Sequence, residues 1–84
     1  MKNTIPAVKV MHAIYSVFLS VGNKDYAERK TNNFLKRCGA DINKPKEQPL
    51  DIARIKEVAY AMLDEDTENL LWLKLNHQIT REVN

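Results

Sequence analysis

Turn-forming residues are scarce in this sequence of 84 residues, which contains two glycines and three prolines. Because connections between elements usually need such residues, their scarcity indicates a few long elements and argues against an all-β fold. The composition, 44% hydrophobic and 29% charged, is that of a globular protein. A chain of this length forms one domain at most. We therefore predict a single helical domain over residues 1–84.

Cysteine is also nearly absent. Cys38 stands alone, which excludes an internal disulfide and any paired-cysteine zinc or redox motif, and favours a reducing, cytoplasmic compartment. The most apolar stretch, residues 5–21, is too short for a membrane span and contains Lys9 and His12. No small-residue cleavage site follows it. We expect neither a signal peptide nor a membrane helix.

Residues 5–21 instead predict a central helix, with Thr4 as the N-cap, Pro6 in the first turn and Gly22 as a left-handed stop. Its main apolar face combines Val10, Met11, Ile14, Val17, Phe18 and Val21. This face is wider than the apolar stripe of a surface helix, so we expect other helices or a second chain to cover it.

Three further helices are predicted downstream. The second runs from about Lys24 to Cys38, begins with a capping box of Asp25 and Glu28, and ends at Gly39. Its predicted buried face consists of Ala27, Thr31, Phe34, Leu35 and Cys38. Residues 40–49, with two prolines and no apolar period, are interpreted as an ordered linker.

The third helix is expected to start near Pro49, with Asp51 in its first turn. Its apolar stripe is Ile52, Ile55, Ala59, Met62 and Leu63. After a short turn, Asp66 or Thr67 is predicted to cap the fourth helix. The apolar face of that helix is Leu71, Trp72, Leu75, Ile79 and Val83. The fold prediction is a small all-α bundle of about four helices with a C-terminal antiparallel helical hairpin.

One segment resembles a known family. FLKRCGADIN followed by PLDIA is similar to the junction between two ankyrin repeats, over about residues 34–53. The segment departs from that pattern, because only residues 44–48 separate the two motifs, the hairpin glycine is missing and the flanking segments do not repeat. An ankyrin unit needs neighbouring repeats to bury its face. No property of that family is therefore carried over to this chain.

The motifs of metal and catalytic chemistry are missing as well. The acidic cluster of Asp64, Glu65, Asp66 and Glu68 does not fit an EF-hand loop, which needs glycine at its sixth position and a carboxylate at its twelfth, where Asn69 and Leu75 stand. His12 and His77 form no metal-binding pair. Nothing assembles a nucleophile, a base and an oxyanion site. We predict a protein that is not an enzyme, with no cofactor, metal or small-molecule substrate.

Charge is distributed unevenly along the chain. Nine basic and four acidic residues up to Gln48 give +5, whereas four basic and seven acidic residues from Pro49 onward give −3. One polar face of the second helix suits phosphate binding: Tyr26, Arg29, Lys30, Asn33, Lys36 and Arg37. The alternative is the solvated side that every surface helix needs. No helix-turn-helix signature accompanies this face.

Apolar residues exceed what one small core readily absorbs. The candidate protein interface is Val8, Tyr15, Leu19, Leu70, Leu73 and His77. The leading functional hypothesis is a small interaction or regulatory protein that works by protein–protein contacts, as a homodimer or as an adaptor or inhibitor of a partner. The alternative is a nucleic-acid-binding accessory or transcription-regulatory factor that uses the basic face of helix 24–38.

Overall fold

The computed structural model describes the backbone of residues 3–41 and 43–83, and the side chains of these residues up to Asn76. Four helices form the domain: α1 (Ala7–Leu19), α2 (Lys24–Arg37), α3 (Ile52–Met62) and α4 (Glu65–Val83). Two short strands, β1 (Thr4–Pro6) and β2 (Pro49–Asp51), accompany them. The predicted bundle of four helices is confirmed. Within the described residues, no helix is long and apolar enough to cross a bilayer.

The strands form an antiparallel pair in which Ile5 lies opposite Leu50, and both side chains are buried. This pairing corrects two predicted helix starts. Thr4, predicted as an N-cap, lies in β1, and Pro49, predicted in the first turn of a helix, lies in β2. Asp51 caps α3 instead, by accepting a hydrogen bond from the Ala53 amide.

The start of α1 is bound to the linker rather than capped by its own side chains. The amides of Ala7 and Val8 donate to the carbonyls of Gln48 and Lys46, each at 2.8 Å. These bonds satisfy donors that the first turn of a helix leaves without an intrahelical partner. The linker is held in turn by the Gln48 side chain, which bonds both the amide and the carbonyl of Asp41. These hydrogen bonds hold the described part of the linker in a defined position beside α1.

Helix α1 is the central element, as its wide apolar face predicts. It packs chiefly against α2 and α4. Its buried residues are Ala7, Val10, Ala13, Ile14, Val17 and Phe18. The helix ends at Leu19, earlier than predicted, so Val21 lies beyond it and is 63% exposed instead of buried.

The two glycines have different structural roles. Gly39 follows α2 with φ +90°, the left-handed conformation predicted for it. Gly22 was predicted to stop α1 in the same way, but its φ is not positive. Its small size matters instead, because a Cβ atom at this position would lie 2.5 Å from the Tyr26 ring.

Two predicted caps are replaced by neighbouring residues. The Asn23 side chain caps α2 by accepting from the Tyr26 amide at 2.8 Å, in place of the predicted Asp25–Glu28 box. Asp64 caps α4 by accepting from the Thr67 amide at 2.8 Å. Hydrogen bonds from Thr67 lower the pKa of Asp64 below its ordinary value. Asp66 and Thr67, the predicted caps, lie inside the first turn of α4.

The buried faces of the other helices include several residues of the predicted stripes, and Val58, which was not predicted, is buried as well. In α2, Ala27, Thr31 and Phe34 are buried, and Cys38 is buried just beyond the end of the helix. In α3 the buried residues are Ile55, Val58 and Ala59, with Ile52, Met62 and Leu63 packed at their edge. In α4, Leu71 and Leu75 are fully buried. The side chains of Ile79 and Val83 lie outside the described residues.

Helices α3 and α4 are joined by two residues, Leu63 and Asp64. This short connection is the one expected for consecutive helices of a hairpin. In the described part of the chain, α4 nevertheless packs more closely on α1 than on α3. Among the described residues, α3 carries an exposed outer side, on which Tyr60 is 82% exposed.

Candidate functional site

An open groove lies between α2 and α3. We call it the basic groove, and its lining consists of Lys30, Asn33, Lys36, Arg37, Ala61 and Met62. Its volume is about 560 Å³. Because the groove is open to solvent, its shape suits a segment of chain better than an enclosed ligand.

Helical periodicity places the polar lining residues together. The opposite face of α2 is anchored by Ala27 and Phe34, each fully buried, so that residues 30, 33 and 37 project to the other side at spacings of three and four. Lys36 and Arg37 lie in the last turn of α2, where positive charge interacts favourably with the helix dipole. The sequence thus places these cations where the helix itself favours them.

The apolar part of the lining comes from the last turn of α3. Ala61 is exposed, and Met62 is partly buried against the core. These residues meet the basic face of α2 only through tertiary packing, and no local pattern in the sequence predicts such a pairing.

Tyr26 does not lie on the open basic face where the helical pattern placed it. Its ring is partly buried and meets the Phe18 ring edge to face, with centroids 6.0 Å apart and planes at 85°. The Lys30 ammonium lies 5.8 Å from the Tyr26 ring centroid, within cation–π distance. Tyr26 thus supports the core and positions Lys30 at the edge of the groove. Arg29 is exposed but does not line the groove.

Arg54 is a further basic residue near the groove that the sequence analysis did not identify. Its Nε donates to the Arg37 carbonyl at 2.9 Å, which ties the start of α3 to the end of α2. The bond joins residues seventeen positions apart, so local periodicity gives no sign of it. It also brings a second guanidinium close to Arg37.

Cys38 lies on the buried side of the same junction. Burial raises the pKa of its thiol to about 11, and the nearby Arg54 charge only partly opposes this rise. A thiol with such a pKa is almost entirely protonated at neutral pH, so it is a poor nucleophile. The predicted role of Cys38 as a small core residue agrees with its burial.

The candidate interface residues are found in different environments. Tyr15 and Leu70 are partly buried and packed against the core, and Val8 is partly buried. Leu19 is 44% exposed and Leu73 is 67% exposed. The side chain of His77 lies outside the described residues. Leu73 therefore remains the most accessible apolar side chain of the predicted set.

Among the described residues, no three metal-binding side chains lie close enough together to hold an ion. Comparison with family models, curated proteins and solved structures finds no significant match to this chain. The segment that resembles an ankyrin junction forms the end of α2, the linker, β2 and the start of α3. Its strand pairs with β1 near the start of the chain. Any role of the basic groove is therefore inferred from the chemistry of its lining residues.

Proposed function

We propose that the protein is a small, non-enzymatic interaction protein of the cytoplasm, which regulates a partner by binding it as an adaptor or inhibitor, or acts as a homodimer. The observation that carries this proposal is the basic groove, where cations from α2 meet apolar side chains from α3. Such a surface can bind another molecule without containing any catalytic residue. The single buried cysteine is compatible with a reducing compartment.

The charges of the groove favour an acidic partner segment. In the described part of the chain, no carboxylate forms an ion pair with Lys36 or Arg37. Both side chains are exposed and available. Ala61 and Met62 add an apolar surface beside them, and flexible Met side chains adapt to differently shaped partners. Helical peptides commonly dock by placing apolar side chains in a groove while charged residues contact its edges.

Affinity capture with matched charge variants tests this proposal. Purified wild type, a Lys36→Glu/Arg37→Glu variant and a Lys44→Glu/Lys46→Glu control are immobilised and exposed to extract of the native host. The control has the same change of charge at two exposed linker residues that do not line the groove. Wild type and control are expected to retain the same protein, and the groove variant to lose it. Retention of that protein by all three would refute a role for the groove.

Nucleic acid binding is the second candidate function, because four of the six residues proposed for it line one groove. A salt titration of binding to DNA and RNA tests it. The affinity must fall steeply with salt, and the slope of log K against log salt must become shallower by about 0.9 for each duplex-DNA phosphate contact removed. Lys36→Gln and Arg37→Gln change the groove, and Arg29→Gln, on the same helix but outside the groove lining, is the comparison. No binding at low salt would eliminate this function.

A further inference from the structure

We propose that the basic groove of one molecule binds the outer strip of α4 from a second copy of the same chain. The outer strip is Glu65, Asp66, Asn69 and Leu73, which are all exposed. This inference rests on the proposed function, since it assigns a specific protein segment to the groove. It also assigns a contact to Leu73, which is left 67% exposed on the isolated chain.

The strip results from the way α4 packs on α1. Leu71 and Leu75 are fully buried, so the helix turns residues 65, 69 and 73 outward at successive spacings of four. Carboxylates at the start of α4 are favoured by the helix dipole. The exposed side of α4 therefore carries negative charge at its start and an apolar side chain two turns later.

The two surfaces are complementary in chemistry and in length. Glu65 and Asp66 offer carboxylates to Lys36 and Arg37, and Leu73 offers an apolar side chain to the Ala61 and Met62 side of the groove.

Both surfaces also span similar distances along their helices. From Glu65 to Leu73 the helix rises about 12 Å, and from Lys30 to Arg37 it rises about 10 Å. One helical segment of the outer strip thus matches the groove from end to end.

The position of the two surfaces favours a closed dimer. Met62 of the groove and Glu65 of the outer strip are only three residues apart, so groove and strip lie near each other on one molecule. A twofold axis beside them lets each copy place its strip in the groove of the other, which gives two equal contacts. A single head-to-tail contact would instead produce an open chain of molecules.

A charge-swap experiment tests the inference. One variant is Lys36→Glu/Arg37→Glu and the other is Glu65→Lys/Asp66→Lys. Each is studied alone and as an equal mixture, by sedimentation equilibrium at low salt. Wild type is expected to be dimeric, each variant monomeric, and the mixture dimeric again because opposite charges face each other at both contacts.

Two controls keep this test decisive. The Lys44→Glu/Lys46→Glu variant must dimerise like wild type, and circular dichroism must show that every variant is folded. If Glu65→Lys/Asp66→Lys does not fold, Leu73→Ser replaces it, and a weaker dimer is expected from the lost apolar contact.

Three results would overturn the inference: a monomeric wild type at millimolar concentration, dimerisation of the groove variant alone, or a mixture that stays monomeric. A monomeric wild type that still captures another protein through the groove would refute self-docking and leave the proposed function standing. A wild type that is monomeric and also captures no protein through the groove would refute both the inference and the proposed function.

Discussion

Helices α1 and α2 pack extensively against each other, whereas the consecutive helices α3 and α4 share few contacts. Between α1 and α2, the Phe18 and Tyr26 rings meet edge to face, and Gly22 leaves room for the Tyr26 ring. Between α3 and α4, the connection is short, and among the described residues α4 packs mainly on α1. The first pair therefore supplies much of the core, and the second pair leaves surface available for binding.

The largest difference between the two regions is expected for buried and exposed aromatic residues. Phe34 on α2 is fully buried, so Phe34→Ala should lower the free energy of unfolding by about 3–5 kcal/mol. Tyr60 on α3 is 82% exposed, and Tyr60→Ala should change it by no more than about 0.5 kcal/mol. Urea unfolding measures both. If Tyr60→Ala lowered the free energy of unfolding as much as Phe34→Ala does, the Tyr60 side of α3 would have to be covered in solution.

The two glycines should respond to alanine for different reasons. Gly22→Ala is expected to cost about 1–3 kcal/mol by overpacking against Tyr26. Gly39→Ala is expected to cost about 1–2 kcal/mol because its φ of +90° is unfavourable for a residue with a Cβ.

A double-mutant cycle separates these causes. In a Tyr26→Ala background the cost of Gly22→Ala should largely disappear, while that of Gly39→Ala should stay the same. An unchanged cost at Gly22 would mean that contact with the Tyr26 ring is not the reason for glycine there.

The caps of α2 and α4 should differ in their response to pH. Asn23→Ala should cost about 1 kcal/mol at any pH, because an amide does not titrate. The pKa of Asp64 is lowered in the folded state. Its contribution is therefore present above the unfolded pKa of 3.8 and is lost as the pH falls through the lower folded value.

Unfolding curves between pH 2 and 7 check this contrast. The difference between wild type and Asp64→Asn should shrink on acidification, and that between wild type and Asn23→Ala should stay constant. A constant difference at Asp64 would contradict its assignment as the ionised cap.

A separate effect at alkaline pH is expected for Cys38, beside the junction of α2 with α3. Its native pKa of about 11 lies above the ordinary value of 9.0, so the unfolded chain releases the thiol proton first. The contribution of the protonated thiol to stability is fully present below pH 9 and should be lost as the pH rises from 9 to about 11. The free energy of unfolding of wild type is compared with that of Cys38→Ala over this pH range. If the difference between them does not change with pH, the thiol makes no such contribution.

Much of the helical architecture could be predicted because it follows local periodicity. The wide face of residues 5–21 correctly indicated a central α1, and Gly39 was correctly predicted to end α2. The two-stranded sheet could not be predicted, since each strand has three residues and its partner lies far along the chain. Pro6 and Pro49 fit a helix start as well as a strand, and periodicity does not separate these alternatives for short segments.

The candidate site was predicted in part for the same reason. Lys30, Asn33, Lys36 and Arg37 share one helical face and could be grouped from the sequence. The contributions of α3 and Arg54 depend on how two helices meet, which no local pattern reports. Tyr26 was placed on the open face because helical spacing alone does not show that its ring packs on Phe18.

The central claim, that the basic groove is a site of protein contact, is tested most directly by site-specific photo-crosslinking. A photoreactive phenylalanine derivative is placed at Asn33, which lines the groove, or at the adjacent Asn32, which is exposed and does not line it. Cells of the native host are irradiated, and adducts are identified by mass. If the groove binds protein, an adduct to a second copy or to a partner forms at position 33 and none forms at position 32. Equal adducts at both positions, or none at either, would contradict it.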